Sequence, residues 1–164
     1  MTLNEISLYK DKILSGIFQS EEIAGYLLGD SYHAETAKED LNYIHVFPYL
    51  HIPDPAAEAK PYLCVEVDIP RTLNLVYKDM KVMVWAYCPQ NIMDRAGKDR
   101  AATLPDLIAD AADTLLNGSG EFRIGKLKLE SVSYFTPSEG FYGKQLIYKC
   151  LEFDTWKTDQ AVIA

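Results

Sequence analysis

The chain has 164 residues and a mass of 18.5 kDa, one domain's worth, and surface scaling puts about 69% of the unfolded surface out of water on folding, enough for a core without disulfide or metal staples. With 48% apolar and 24% charged residues, 9 Gly and 8 Pro, the composition is that of an ordinary globular protein and excludes long disorder and fibrous repeats. Sixteen basic residues against 24 acidic ones give a net charge of −8, a poor balance for wrapping nucleic acid or lying on anionic lipid.

Residues 3–18 place Ile6, Tyr9, Ile13 and Ile17 on one stripe, which predicts an amphipathic helix. Ser20 before Glu21 and Glu22 predicts an N-cap with acids at the positive helix end, and Gly29 a stop after Leu28. Thr36 to Glu39 has capping-box form and predicts one further turn. Residues 43–53 are aromatic and β-branched but interrupted by Pro48 and Pro53, which predicts an edge strand or extended arm; 54–61 read as a polar connection.

Residues 62–69 alternate, Leu63, Val65, Val67 and Ile69 against Tyr62, Cys64, Glu66 and Asp68. Residues 75–88 alternate again, Val76, Met80, Val82, Val84 and Ala86 against Tyr77, Lys81, Met83, Trp85 and Tyr87, and the two runs predict an antiparallel pair. After a loop over 89–102, Thr103, Pro105 and Asp106 open a helix whose stripe runs from Leu104 to Leu115 and stops at Asn117 and Gly118. Residues 124–135 predict a strand with a bulge near Glu130 and Ser131, where the alternation changes frame. Pro137 and two glycines predict a turn over 136–143. Residues 144–153 are apolar on both sides and predict an interior strand, and 155–164 show no period and predict a tail. The expectation is an α+β domain over residues 1–154: N-terminal helices at 3–29, an arm at 30–61, a strand hairpin at 62–88, a helix at 103–117 and a hairpin at 124–153. Its helices lie on one face of an antiparallel or mixed sheet of about four to five strands.

No motif carries chemistry. Cys64, Cys88 and Cys150 are odd in number, far apart and in apolar runs, with no C-x-x-C pair; free buried thiols and a reducing compartment are expected, not a disulfide framework, zinc or redox work. The first residues lack the basic and apolar blocks of a signal peptide, and no apolar run approaches the roughly 18 residues of a membrane span, so folding in a cytoplasm is expected, with no membrane partner. His45 and His51 with Asp54 are the one candidate small-ligand or metal site, but a metal needs further donors close by. Glu66 and Asp68 share a strand face, a solvated pair more readily than an acid–base pair without a partner base. Lys126 with Lys128, and Arg95, Lys98 and Arg100 in one loop, are local patches against 24 acids, and no specific nucleic-acid binding is expected. What stands out is aromatic content off the aliphatic stripe. Tyr49, Tyr62, Trp85 and Tyr87, with His51 beside them, need a cover, either the chain's own N-terminal helices or a neighbouring subunit, and are the candidate interface residues.

The block from Tyr43 through His45, Phe47, Tyr49 and His51 to Pro53, then Tyr62 to Asp68, the strand ending Met83 to Tyr87, Leu115 to Gly118 and Ile124 to Leu127, resembles small proteins of the head–tail modules of tailed phages and prophages. The element order over residues 3–153 is similar to the tail-terminator family. The resemblance implies a non-enzymatic virion protein, located in the tail or neck and in the host cytoplasm during assembly. It implies a homo-oligomeric ring, commonly a hexamer, that joins head to tail by capping the tail tube and meeting the head-closure or connector protein, without a cofactor. A ring needs two unlike patches per subunit; the arm at 43–53 suits one by strand addition, the aromatic sheet face another. An acidic lumen would let DNA slide without sticking. The other expectations are a different neck or tail-associated protein, or a small ligand- or metal-binding domain using His45, His51 and Asp54.

Overall fold

A computed structural model describes residues 3–72, 78–98, 101–118 and 126–150. Their frame is a mixed five-stranded sheet of order β1-β2-β3-β5-β4, made by β1 (Val46–Phe47), β2 (Tyr62–Thr72), β3 (Lys78–Pro89), β4 (Leu127–Phe135) and β5 (Phe141–Cys150). Helices α1 (Leu3–Gln19), α2 (Glu21–Leu28), α3 (Ala37–Leu41) and α4 (Leu104–Leu116) pack on one face. The α+β class and the single helical layer are those the sequence predicts.

The helices begin and end where local chemistry directs. Ser20 Oγ accepts the Ile23 N–H at 3.2 Å, so α2 starts there, and Gly29 at φ +58° ends it. The Asp106 carboxylate accepts the Thr103 N–H at 3.1 Å at the head of α4, with Pro105 in its first turn; Gly118 at φ +76° follows its end. The Thr36 box does not form. Its hydroxyl donates instead to Asp40 Oδ2 at 2.8 Å, one turn along the outside of α3.

β2 and β3 pair antiparallel, from Tyr62 opposite Tyr87 to Asp68 opposite Lys81, with an irregularity before Arg71. The frame change in β4 is a register shift between Leu129 and Ser131, as expected. β5 lies between β3 and β4, which explains its two apolar sides. It also begins earlier than expected: Gly143 belongs to the strand, not the turn, because Pro89 and Phe141 already pair. β1 is the one parallel strand, two residues long, cut off by Pro48. Residues 73–77, the start of the expected strand at 124–125, its counterpart's end at 151–153 and the expected tail at 155–164 lie outside the described residues.

The helix-side core joins Ile13 and Ile17 of α1, Ile23 and Leu27 of α2, and Ile108 and Leu116 of α4 to Leu63, Val65, Val82, Val84, Leu146 and other buried strand residues. Tyr148 is fully buried in it, and its hydroxyl donates to Asp113 Oδ1 at 2.8 Å, tying α4 to the sheet interior. Burial and then the Asp113 carboxylate raise the Tyr148 phenol above its ordinary value.

Candidate functional site

Strand alternation sends every second residue to the far face. Register gathers these residues into cross-strand rows. One row is Tyr62, Tyr87, Gly143 and Phe135; the next is Cys64, Trp85, Gln145 and Ser133. A second buried cluster forms there, with Phe47, Tyr62, Cys64, Trp85, Tyr87 and Phe141 at its centre. The arm supplies the cover. Phe47 stacks on His51 with centroids 4.1 Å apart, His51 lies 5.4 Å from Tyr62, and Tyr62 stacks on Tyr87 at 5.4 Å. The Tyr87 hydroxyl donates to the His51 carbonyl, fixing the arm to the sheet. Trp85 Nε1 donates to Gln145 Oε1 at 2.8 Å, so the indole enters the cluster with its N–H satisfied. Gly143 makes this packing possible: a Cβ there would fall 1.9 Å from the Ala86 carbonyl oxygen and 2.6 Å from Tyr87 Cα.

These contacts change the reading of the five candidate interface residues. Tyr62, Trp85 and Tyr87 are buried, and their cover is neither the N-terminal helices nor a neighbour. The arm at 43–53 of the same chain folds over Tyr62 and Tyr87, Pro48 ending strand pairing after Phe47 and turning the chain across them, while Trp85 packs against Phe135 of β4 and Gln145 of β5. His51 is half-buried within that cover, and burial lowers its pKa below the ordinary 6.5. Tyr49 remains exposed, beside the exposed Tyr43 at 6.3 Å. Tyr43 takes φ +60°, a left-handed turn that lets its N–H donate to the Val46 carbonyl at 2.9 Å. The aromatic block in the sequence signalled this cover; its partner residues Phe135, Phe141 and Gln145 became legible only through register.

The sheet's two edges differ. On the β2 side, Lys10 of α1 lies 2.5 Å from Glu66 Oε1 and donates to the Pro48 carbonyl at 2.9 Å, so Glu66 is not a free surface acid. On the far side, Asn117 Oδ1 accepts the Leu129 N–H at 3.0 Å, which closes the start of β4. From Glu130 to Tyr134 every residue of β4 is exposed, Val132 by 54% and Tyr134 by 66%. Among the described residues no strand pairs with β4 on its outer side, which leaves an edge with exposed apolar side chains.

The structure does not assemble His45, His51 and Asp54 into one site. His45 Nδ1 lies 2.9 Å from the Pro61 carbonyl, which only accepts, so this nitrogen carries the hydrogen. Burial lowers the His45 pKa most, opposed by that hydrogen bond and assisted by Lys60 and Arg95. It lines an open cavity of about 900 Å³ with Asp30, Glu58, Lys60 and Arg95, whereas His51 stacks on Phe47. The Asp54 carboxylate accepts the Ala56 N–H at 2.9 Å, shaping a local turn. Among the described residues no group of three or more His, Cys, Asp or Glu is placed to hold a metal ion. All three cysteines are buried, and none forms a disulfide. Burial raises the Cys64 pKa and pushes Cys88 up to about 12, the opposite of what a nucleophilic thiolate requires.

Among known protein families, the model of the YomW family matches residues 20–150. No curated protein and no solved structure matches the chain. The family is named after a Bacillus phage- or prophage-derived protein. The matched span takes in α2 to α4 and all five strands, including both faces of the sheet and the arm. The chain therefore belongs to the YomW family and is a phage-associated protein.

Proposed function

We propose that the protein is a non-enzymatic structural component of the phage tail or neck, a terminator-like subunit that builds a homo-oligomeric ring on the end of the tail tube and there meets the head-closure protein. The observation that carries this reading is the β4 edge of the described sheet, exposed from Glu130 to Tyr134 beside buried Trp85 and Tyr87 on the inner strand β3. Main-chain N–H and C=O groups along such an edge, with Val132 and Tyr134 beside them, invite strand addition from another chain. The β2 edge is unlike it, shielded by α1 and the arm. Two unlike ends on one sheet favour heterologous contacts, which close into rings when the rotation allows. The exposed Tyr43 and Tyr49 give the arm an outer surface of the residue types that concentrate at interfaces. The buried, proton-holding thiols support a scaffold role over catalysis.

The test is deletion of the gene from an inducible prophage, followed by electron microscopy of the lysate. Tails of irregular length, unattached to full heads, are expected, with complementation by the intact gene. Normal joined virions would overturn the reading.

A further inference from the structure

Beyond the cover of the arm, the far face carries a row of charge. Asp68, Lys81, Lys149 and Lys128 lie side by side across β2, β3, β5 and β4. Adjacent strands are about 4.8 Å apart, so three lysine stems stand within about 10 Å of one another. Like charges placed opposite each other on a sheet are destabilising. Only Lys81 is answered within the row, by Glu130 at 3.6 Å; Lys149 and Lys128 are exposed and have no ion-pair partner among the described residues. The half-buried Met83 and Ile147 of the neighbouring row supply an apolar margin.

The same chain presents the complementary surface elsewhere. Residues 1–42 hold eight acidic residues against three lysines, while the far face gathers Lys81, Lys128 and Lys149 against Asp68 and Glu130; Lys144 stands on the helix side, 3.9 Å from Asp106. In the helical layer, three acids, Asp11, Glu35 and Glu39, against one base, Lys38, line an open groove of about 580 Å³ together with the apolar Leu14 and Phe18. The charge of the molecule is therefore polar: acid on α1 to α3, base on the far face beside β4.

We infer that the lysine row of one copy docks on the acidic α1–α3 groove of the next, and that this electrostatic contact sets the direction of a head-to-tail assembly. The inference rests on the ring reading above and adds which surfaces meet. A second copy is favoured over nucleic acid because a chain of net charge −8 repels a polyanion at long range, while its own helical layer supplies the matching acids.

The test uses two charge-reversed full-length variants, Lys128→Glu/Lys149→Glu and Glu35→Lys/Glu39→Lys, all at exposed positions, with circular dichroism to show that each is folded. Sedimentation at rising concentration should show wild-type self-association that weakens with salt. Each variant alone should associate at least about tenfold more weakly, since reversal sets like charges face to face. An equimolar mixture should recover association, the two variants alternating through one native and one charge-swapped interface. Variants that assemble like the wild type would overturn this contact while leaving the ring intact. A wild type that stays monomeric, with a mixture that does the same, would overturn both. Retention of labelled duplex DNA by the wild type, lost in the lysine variant, would assign the row to phosphate and overturn the inference.

Discussion

Gly143 is where one atom decides packing. Its position opposite Tyr87 leaves no room for a Cβ beside the Ala86 carbonyl, and the obstacle is backbone, which cannot rotate away. Gly143→Ala should cost about 3 kcal/mol in a urea titration, the upper part of the range for overpacking. A second residue-scale prediction concerns the thiols. Cys64, Cys88 and Cys150 are buried, and Cys88 holds its proton up to about pH 12. Iodoacetamide at pH 8 should label none of the three in the folded protein and all three in denaturant; mass spectrometry counts the adducts.

At the scale of elements, the arm is the piece whose removal discriminates. Phe47 contacts Tyr43, Tyr49, His51 and Tyr62, and its loss opens the second cluster while leaving the helix-side core untouched. Phe47→Ala should cost about 3–5 kcal/mol and raise the accessibility of Tyr62 and Tyr87 to surface labelling; an unchanged urea midpoint would show that the arm does not seal that face. The helices, the antiparallel pairing of β2 with β3 and the β4 bulge were legible in the sequence because each is written in local terms: a 3.6-residue stripe, a period of two, a break of phase between Leu129 and Val132. The arm's cover over Tyr62 and Tyr87 was half legible. Alternation showed that these rings needed one, but strand period says nothing about which distant segment supplies it. That choice depends on Pro48 ending β1 after two parallel pairs and on the Tyr87 hydroxyl reaching the His51 carbonyl. The lysine row was less legible still, since Lys81, Lys128 and Lys149 meet only through three strand pairings. The early start of β5 was missed because Gly143 looks like punctuation when its strand neighbours are unknown.

For the whole molecule, the shifted groups define a window of stability. The Cys88 pKa is raised from 9.0 to about 12, and those of Cys64, Tyr62, Tyr87 and Tyr148 are also raised, by burial first in every case. The folded state therefore holds protons that the unfolded chain releases, so this stability is complete below pH 9 and is lost as pH rises from there toward 12. His45 is lowered from 6.5, so its contribution is present above pH 6.5 and is lost as pH falls below it. Urea midpoints measured across pH should form a plateau between about 6.5 and 9 and fall on both sides; a midpoint still rising at pH 10 would contradict the burial of the thiols and phenols.

The sheet thus carries two dry layers, and they are fastened very differently. One is clamped by four helices; the other lies under a roof hinged on a two-residue parallel strand. Sub-global opening follows the weakest fastening, so the roof should lift as a unit while the frame stays whole. The Leu63 amide, donated to the His45 carbonyl at the hinge, should take up deuterium well before the Val84 amide in the centre of the sheet, and the aromatic rows would then be laid open without the fold being lost.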